Sequence, residues 1–204
     1  MHQLPSPPKH NLNLQQTDRK GDDFSKLWQD ASDIWDERQS EPAFEGYVSA
    51  DFEAIAGLLR SLQGQIETVL EWGSGLGVVA IMASEMGFEA YGIEAEEELV
   101  AHAEALASSY GPGAKFSQGS FIPDDFEWDP ASGDEIHRTI TDLPSAYDDL
   151  DMGLQDFDLI YAYPWPEEYS LFLSILRQFA RPDALWLSYD VREGPRLVVI
   201  GEAT

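Results

Sequence analysis

Two periods run through the apolar positions of this chain. Phe24, Leu27, Trp28, Ala31, Ile34 and Trp35 recur at helical spacing and predict an amphipathic helix, lying on the domain or over its cleft, with both tryptophans packed as core. A second helix carries Phe52, Ile55, Ala56, Leu59 and Leu62 on one face, with Ser49 as its expected N-cap and Gly64 near its end. Beyond it, short apolar runs alternate with helical stretches. Val69-Leu70-Glu71-Trp72 reads as a buried strand, Val78-Val79-Ala80-Ile81-Met82-Ala83 as a helix, and Glu89-Ala90-Tyr91-Gly92-Ile93-Glu94 as a second strand. A helix rich in Ala, Glu and Leu over 96–110 leads to a third strand and its exit over 114–121. A fourth strand starts at Phe157 and ends before Tyr163-Pro164-Trp165, and Pro166 opens a helix over 167–180. Residues 184–189 supply a fifth strand, and after a turn at Glu193-Gly194-Pro195 an edge strand over 196–200 is expected to run antiparallel. Alternation of this kind builds a doubly wound, mostly parallel sheet, here in the order 3-2-1-4-5 plus the antiparallel edge.

The chemistry concentrates where the first strand meets its helix. Glu71-Trp72-Gly73-Ser74-Gly75-Leu76-Gly77 is a glycine hinge, in which backbone without a Cβ can take positive φ and approach a ligand beside the exposed amides of a helix start. Seventeen residues after Gly77, the second strand ends in Glu94, placed as a carboxylate that accepts ribose hydroxyls. A dinucleotide reading, Gly75-x-Gly77-x-x-Ala80, leaves unexplained the Glu71 carboxylate that a pyrophosphate would meet.

Glu71-x-Gly73-x-Gly75-x-Gly77 followed by Gly92-Ile93-Glu94 resembles motifs I and II of the class I S-adenosylmethionine-dependent methyltransferases. That cofactor is cationic at its sulfonium and ammonium, so an acidic residue entering the turn is favourable. The resemblance covers roughly residues 45–200 and implies the Rossmann-like methyltransferase fold, abbreviated at the C-terminus and preceded by N-terminal helices. It implies S-adenosylmethionine as cofactor, with Gly73, Gly75 and Gly77 lining its methionine and ribose part, Glu71 near the amino-acid end and Glu94 on the ribose. Where many relatives read the adenine with an acidic residue, this chain offers Ser120 and Phe121. Tyr163-Pro164-Trp165 resembles the Asp-Pro-Pro-Tyr or Asp-Pro-Pro-Trp acceptor motif of amino-methylating enzymes, with Ala162 at its acidic first position, which weighs against amine methylation by that route. Tyr163 and Trp165 are the candidate residues on the acceptor side; Asp158, at the opening of the fourth strand, reads as structural.

Composition limits the partners. With 38 acidic residues against 12 basic ones the net charge is −26, which disfavours nucleic acid as a substrate and is compatible with high-salt adaptation, with solubility, or with a basic partner. A small molecule or a protein side chain is the expected methyl acceptor. Residues 1–22, rich in Pro, Gln and Asn, read as a disordered tail, and 23–204 as one domain. Its acidic insertion over 123–156 holds eleven carboxylates against one arginine and includes an expected short helix at 145–152; it is either a solvated loop or a lid or docking surface. There is no cysteine, the four histidines lack metal-ligand spacing, and neither a serine-hydrolase elbow nor a P-loop is present. No apolar run reaches membrane-spanning length and no signal peptide is evident, so a cytoplasmic protein is expected. Two alternatives stay open: a methyltransferase-like binding protein without catalysis, and an NAD-dependent oxidoreductase.

Overall fold

Each apolar run followed by a helix returns the chain to the same end of a sheet, so successive strands lie parallel. The computed structural model, which describes residues 23–44, 48–111, 113–127, 139 and 143–202, has this arrangement. Strands β1 (Thr68–Trp72), β2 (Glu89–Glu94), β3 (Lys115–Gln118), β4 (Leu159–Ala162), β5 (Leu185–Asp190) and β6 (Gly194–Val199) form one sheet in the order β3-β2-β1-β4-β5-β6. All pairings are parallel except β5 with β6. The helices are α1 (Ser25–Arg38), α2 (Phe52–Leu62), α3 (Val78–Glu85), α4 (Glu97–Ser108) and α5 (Tyr169–Phe179). The expected order and the antiparallel edge are therefore both present. The predicted tail over 1–22 and residues 128–138 and 140–142 of the acidic insertion lie outside the described residues.

Alternation along each strand divides the core into two layers. Val69, Leu159, Tyr161, Leu185 and Leu187 face α1 to α4, whereas Leu70, Trp72, Ile93, Ile160 and Trp186 face α5 and the polypeptide between β3 and β4. Helix α1 packs on α3, where Trp28 Nε1 donates to Met82 Sδ at 3.3 Å, and it contributes no residue to the cleft described below. Both Trp28 and Trp35 are half-buried against the core.

Three local expectations are corrected. Helix α2 is capped by Asp51, whose carboxylate accepts from Ala54 N at 3.0 Å, two residues beyond the expected Ser49. Residues 145–152 form successive turns instead of a helix: Ser120 and Ser145 form a bridge, and Asp151 takes φ +52°, which ends any helical run. The last turn lies two residues earlier than expected, over 191–193, with Asp190 Oδ1 accepting from Arg192 N and Glu193 N and β6 starting at Gly194.

Asp158 binds the sheet's lower end together. Its carboxylate accepts from the amides of Glu67 (2.7 Å) and Thr68 (3.0 Å) and pairs with Arg181, while its own amide donates to Thr68 Oγ1 at 2.8 Å. Partial burial opposes its charge, but the two amides and Arg181 outweigh that and hold the carboxyl below the ordinary aspartate range. Asp158→Ala is expected to lower unfolding free energy by about 2–3 kcal/mol in urea titration, through loss of charge-assisted hydrogen bonds. A depressed folded pKa contributes stability that is complete above the unfolded value and lost as pH falls through the folded one. The difference between wild type and variant should accordingly shrink below about pH 4.

Candidate functional site

The path from β1 into α3 needs left-handed backbone at three positions: Gly73, Gly75 and Gly77 have φ of +60°, +52° and +70°. Ser74 N donates to Ile93 O at 3.0 Å and Gly77 N to Ser74 O at 2.7 Å, which ties the turn to β2 and closes it on itself. A Cβ on Gly73 would meet nothing within 4 Å, so open space adjoins that backbone. A Cβ on Gly77 would lie 2.4 Å from the Phe116 ring and 3.1 Å from Ala103 Cβ. Gly77 serves the packing of α3 against β3 and α4, and the structure does not bring it to the cleft.

Because Gly77, the residue before α3, has no side chain, the helix needs its cap from elsewhere. Glu71 supplies it from within β1: its carboxyl accepts from Ala80 N at 2.8 Å and also from Val79 N. Only 4% of Glu71 is exposed. Burial pushes its pKa up to about 8 against the pull of those two amides, and neighbouring Glu94 adds to the rise. Glu94, at the end of β2, accepts from Gly75 N (2.8 Å) on one oxygen and from Ala95 N (2.8 Å) and Glu96 N (3.1 Å) on the other. Burial also raises its pKa, against these three amides.

These groups wall a cleft of about 510 Å³ at the carboxyl ends of β1, β2 and β4, where the winding of the sheet reverses. Its lining holds Glu71, Gly73, Gly75, Glu94, Ser120 and Phe121 together with Tyr163 and Trp165. Eight of the nine residues singled out from the sequence thus meet in one cavity. Ser120 is only 4% exposed and its hydroxyl accepts from Ile122 N at 3.1 Å, so it shapes the β3 exit. Phe121 stacks on Trp72, with centroids 4.6 Å apart and rings 16° from parallel, and Phe172 closes on both. Tyr163 meets Tyr189 edge-on at 5.0 Å. Trp165 stands before the 3-10 turn Pro166–Glu168 that starts α5.

Three lining residues escaped the sequence reading. Trp72 donates from Nε1 to Tyr147 Oη at 3.0 Å, and that hydroxyl donates onward to Phe121 O at 3.0 Å; burial raises the Tyr147 pKa against the Trp72 bond. Ser74 presents a buried hydroxyl with no hydrogen-bond partner among the described residues. Both lie inside the glycine motif, where their position was the available signal. Glu168 is 1% exposed and accepts from Thr139 N at 2.7 Å; in the sequence it is one more acid at a helix start. Among the described lining residues there are four glutamates (Glu71, Glu94, Glu96, Glu168) and no lysine, arginine or histidine.

No family model and no curated protein matches this chain. Solved structures do. An RNA methyltransferase from Salinibacter ruber in complex with S-adenosyl-L-homocysteine superimposes with a TM-score of 0.54 at 16% identity, over 77% of this chain and 96% of its own. An S-adenosylmethionine-dependent methyltransferase from Thiobacillus denitrificans, also with S-adenosyl-L-homocysteine, gives 0.45 at 18% identity over 76% of this chain. This chain spans about half of that second protein, 54%. The fold is the Rossmann-like fold of the class I methyltransferases. Among the described residues no helix is long and apolar enough to cross a membrane.

The buried Glu71 carboxyl makes stability depend on pH. Its raised folded pKa leaves the fold unpenalised below the unfolded value of 4.5, and stability is lost progressively as pH rises toward about 8. Glu71→Gln keeps an oxygen for Ala80 N and removes the titration. Chemical denaturation across pH 4.5–8 should show the variant gaining stability relative to wild type as pH rises; a constant difference would place the Glu71 carboxyl in contact with water.

Proposed function

We propose that the cleft binds S-adenosylmethionine and that the protein transfers its methyl group to a small molecule or a protein side chain. The observation that carries this reading is the sign of the lining charge. A cleft with four glutamates and no basic group among the described residues suits a cationic sulfonium and ammonium, and would repel the two phosphates of a dinucleotide. Its volume lies within the range of small-molecule sites. Left-handed backbone at Gly73 and Gly75, with open space beside Gly73, lets a ligand pass close to the main chain.

In this reading Glu94, already oriented by three amides, accepts the ribose hydroxyls with its remaining lone pairs. Glu71 offers a carboxyl toward the amino-acid end, Ser74 a hydroxyl donor, and Phe121, fixed by its stack on Trp72, an apolar edge near the base. The cofactor supplies an activated methyl on a good leaving group. The chain's own task is to align an acceptor with that methyl and to exclude water, and Tyr163 and Trp165, which line the same cleft, are the acceptor-positioning residues. The RNA substrate class of the Salinibacter ruber enzyme is a property of that enzyme; here a net charge of −26 favours acceptors without a polyphosphate backbone.

S-adenosylhomocysteine should raise the melting temperature by mass action while NAD should not, and Glu94→Ala should weaken its binding by about 1.5–3 kcal/mol in calorimetry, the worth of charge-assisted hydrogen bonds. Equal stabilisation by NAD would overturn the cofactor assignment. Tyr163→Ala or Trp165→Ala should slow single-turnover methyl transfer at least tenfold with cofactor affinity nearly unchanged, because only acceptor alignment is lost. Parallel loss of folding and cofactor binding would instead make these rings packing residues.

A further inference from the structure

Two acids share the cleft across one turn. Glu71 stands one residue before the end of β1 and Glu94 at the end of β2, and Gly75, in the turn between β1 and α3, gives its amide to Glu94. Glu71 is almost wholly buried and yet lines the cleft, so the little of it that is open is open to a ligand. The Ala80 amide, in the first turn of α3, fixes its Oε2 at the cleft wall. Beside Glu71 in register stand Gly92 on β2, which has no side chain, and Tyr161 on β4, which brings a phenol. The other titratable groups around the described part of the cleft are Glu94 and Glu96 after β2, Tyr163 after β4, and Glu168 before α5, which takes the Thr139 amide. Helices α2, α3 and α4 bring apolar side chains to the described lining. Ser74, in the same turn, adds a buried hydroxyl with no partner among the described residues.

An ionised Glu71 would keep its amide bonds but lose its water and stand near the Glu94 charge, so the site without ligand favours the neutral acid. A cation brought to the same wall reverses that preference. We propose that Glu71 exchanges its proton for the ammonium of the cofactor, so that each S-adenosylmethionine bound expels one proton from the turn. This rests on the cofactor reading above and adds to it the dependence of the site on pH. The O–H bond of the Glu71 carboxyl breaks, the proton passes to solvent, and the carboxylate left behind pairs with the ammonium: one positive charge replaces another. Glu94 meets ribose hydroxyls in the same reading, and these bring no charge to exchange. Affinity then follows pH with a definite sign. Protons compete with the ammonium for Glu71, so binding tightens as pH rises toward about 8, the value to which burial pushes the free carboxyl, by about tenfold per unit over pH 6–7. An α-amine has an ordinary pKa of about 7.7–8.0, so that of the cofactor stays mostly charged in this range.

Calorimetry of the full chain in buffers of different ionisation heat counts the protons released, and two ligands divide the cofactor. S-adenosylhomocysteine carries the ammonium without the sulfonium; 5′-methylthioadenosine carries the adenosine without the amino-acid end. Near pH 6.5 the first should release about one proton and the second almost none, and affinity for the first should rise about tenfold from pH 6 to pH 7. Glu71→Gln keeps an oxygen for Ala80 N and has no proton to give up, so it should bind S-adenosylhomocysteine without release and with less than about a twofold change over the same range. Binding of S-adenosylhomocysteine without release, equal release by 5′-methylthioadenosine, or undiminished release from Glu71→Gln would overturn the exchange. If the variant does not fold, the wild-type comparison of the two ligands decides. Absence of S-adenosylhomocysteine binding would defeat the cofactor reading and this inference with it, whereas binding without release would defeat this inference alone.

Discussion

The left-handed turn between β1 and α3 is the constraint on which the rest of the molecule depends. Positive φ at Gly73, Gly75 and Gly77 lets the chain reverse within a few residues and start α3 with its amides directed back at the strand it has left. A helix that starts on glycine has no side-chain cap of its own, so Glu71 in the preceding strand supplies one. Glu94 is fixed by the same turn, since one of its oxygens holds Gly75 N. Thus one backbone conformation positions both buried carboxylates.

Those carboxylates are costly. Neither has a basic partner among the lining residues, and burial raises the pKa of each despite two or three amide bonds. Two acids gathered in a low-dielectric cavity, with no basic group among its described lining residues, destabilise the fold when ionised; in the proposed reading a cationic ligand offsets both desolvation and repulsion. Stability in the unliganded protein and affinity for a cation are in this sense opposed, and the sulfonium reading accounts for the opposition.

The far wall is set by packing. Trp72, Phe121 and Phe172 form an aromatic layer under the cleft, and the hydrogen-bonded path from Trp72 through the Tyr147 hydroxyl to Phe121 O joins β1, the β3 exit and the turns at 145–152. The part of the acidic insertion that is described is therefore bound into the core through Ala146 and Tyr147, with its carboxylates Asp148 and Asp149 directed outward.

Sheet order, the helix faces, the glycine turn and the acid ending β2 were legible in the sequence, because each rests on local period or on a backbone demand that only certain residues meet. Gly77 shows the limit: its left-handed conformation was readable, but its neighbour, the Phe116 ring, comes from a strand about forty residues on, and no local pattern reveals which side of a glycine is filled. Ser49 and Asp51 compete as caps within one loop, and the choice falls to whichever oxygen reaches an amide of the first turn. Turns instead of a helix at 145–152 follow from the tie of Ser145 to Ser120. Glu168 was invisible for the same reason. As a residue it is an ordinary acid at a helix start, and only the folded chain buries it in a lining that also holds Tyr163 and Trp165. Local chemistry determined the glycine turn and the two acids that flank it; the long-range packing of helices across the sheet decided which other side chains line the same cleft.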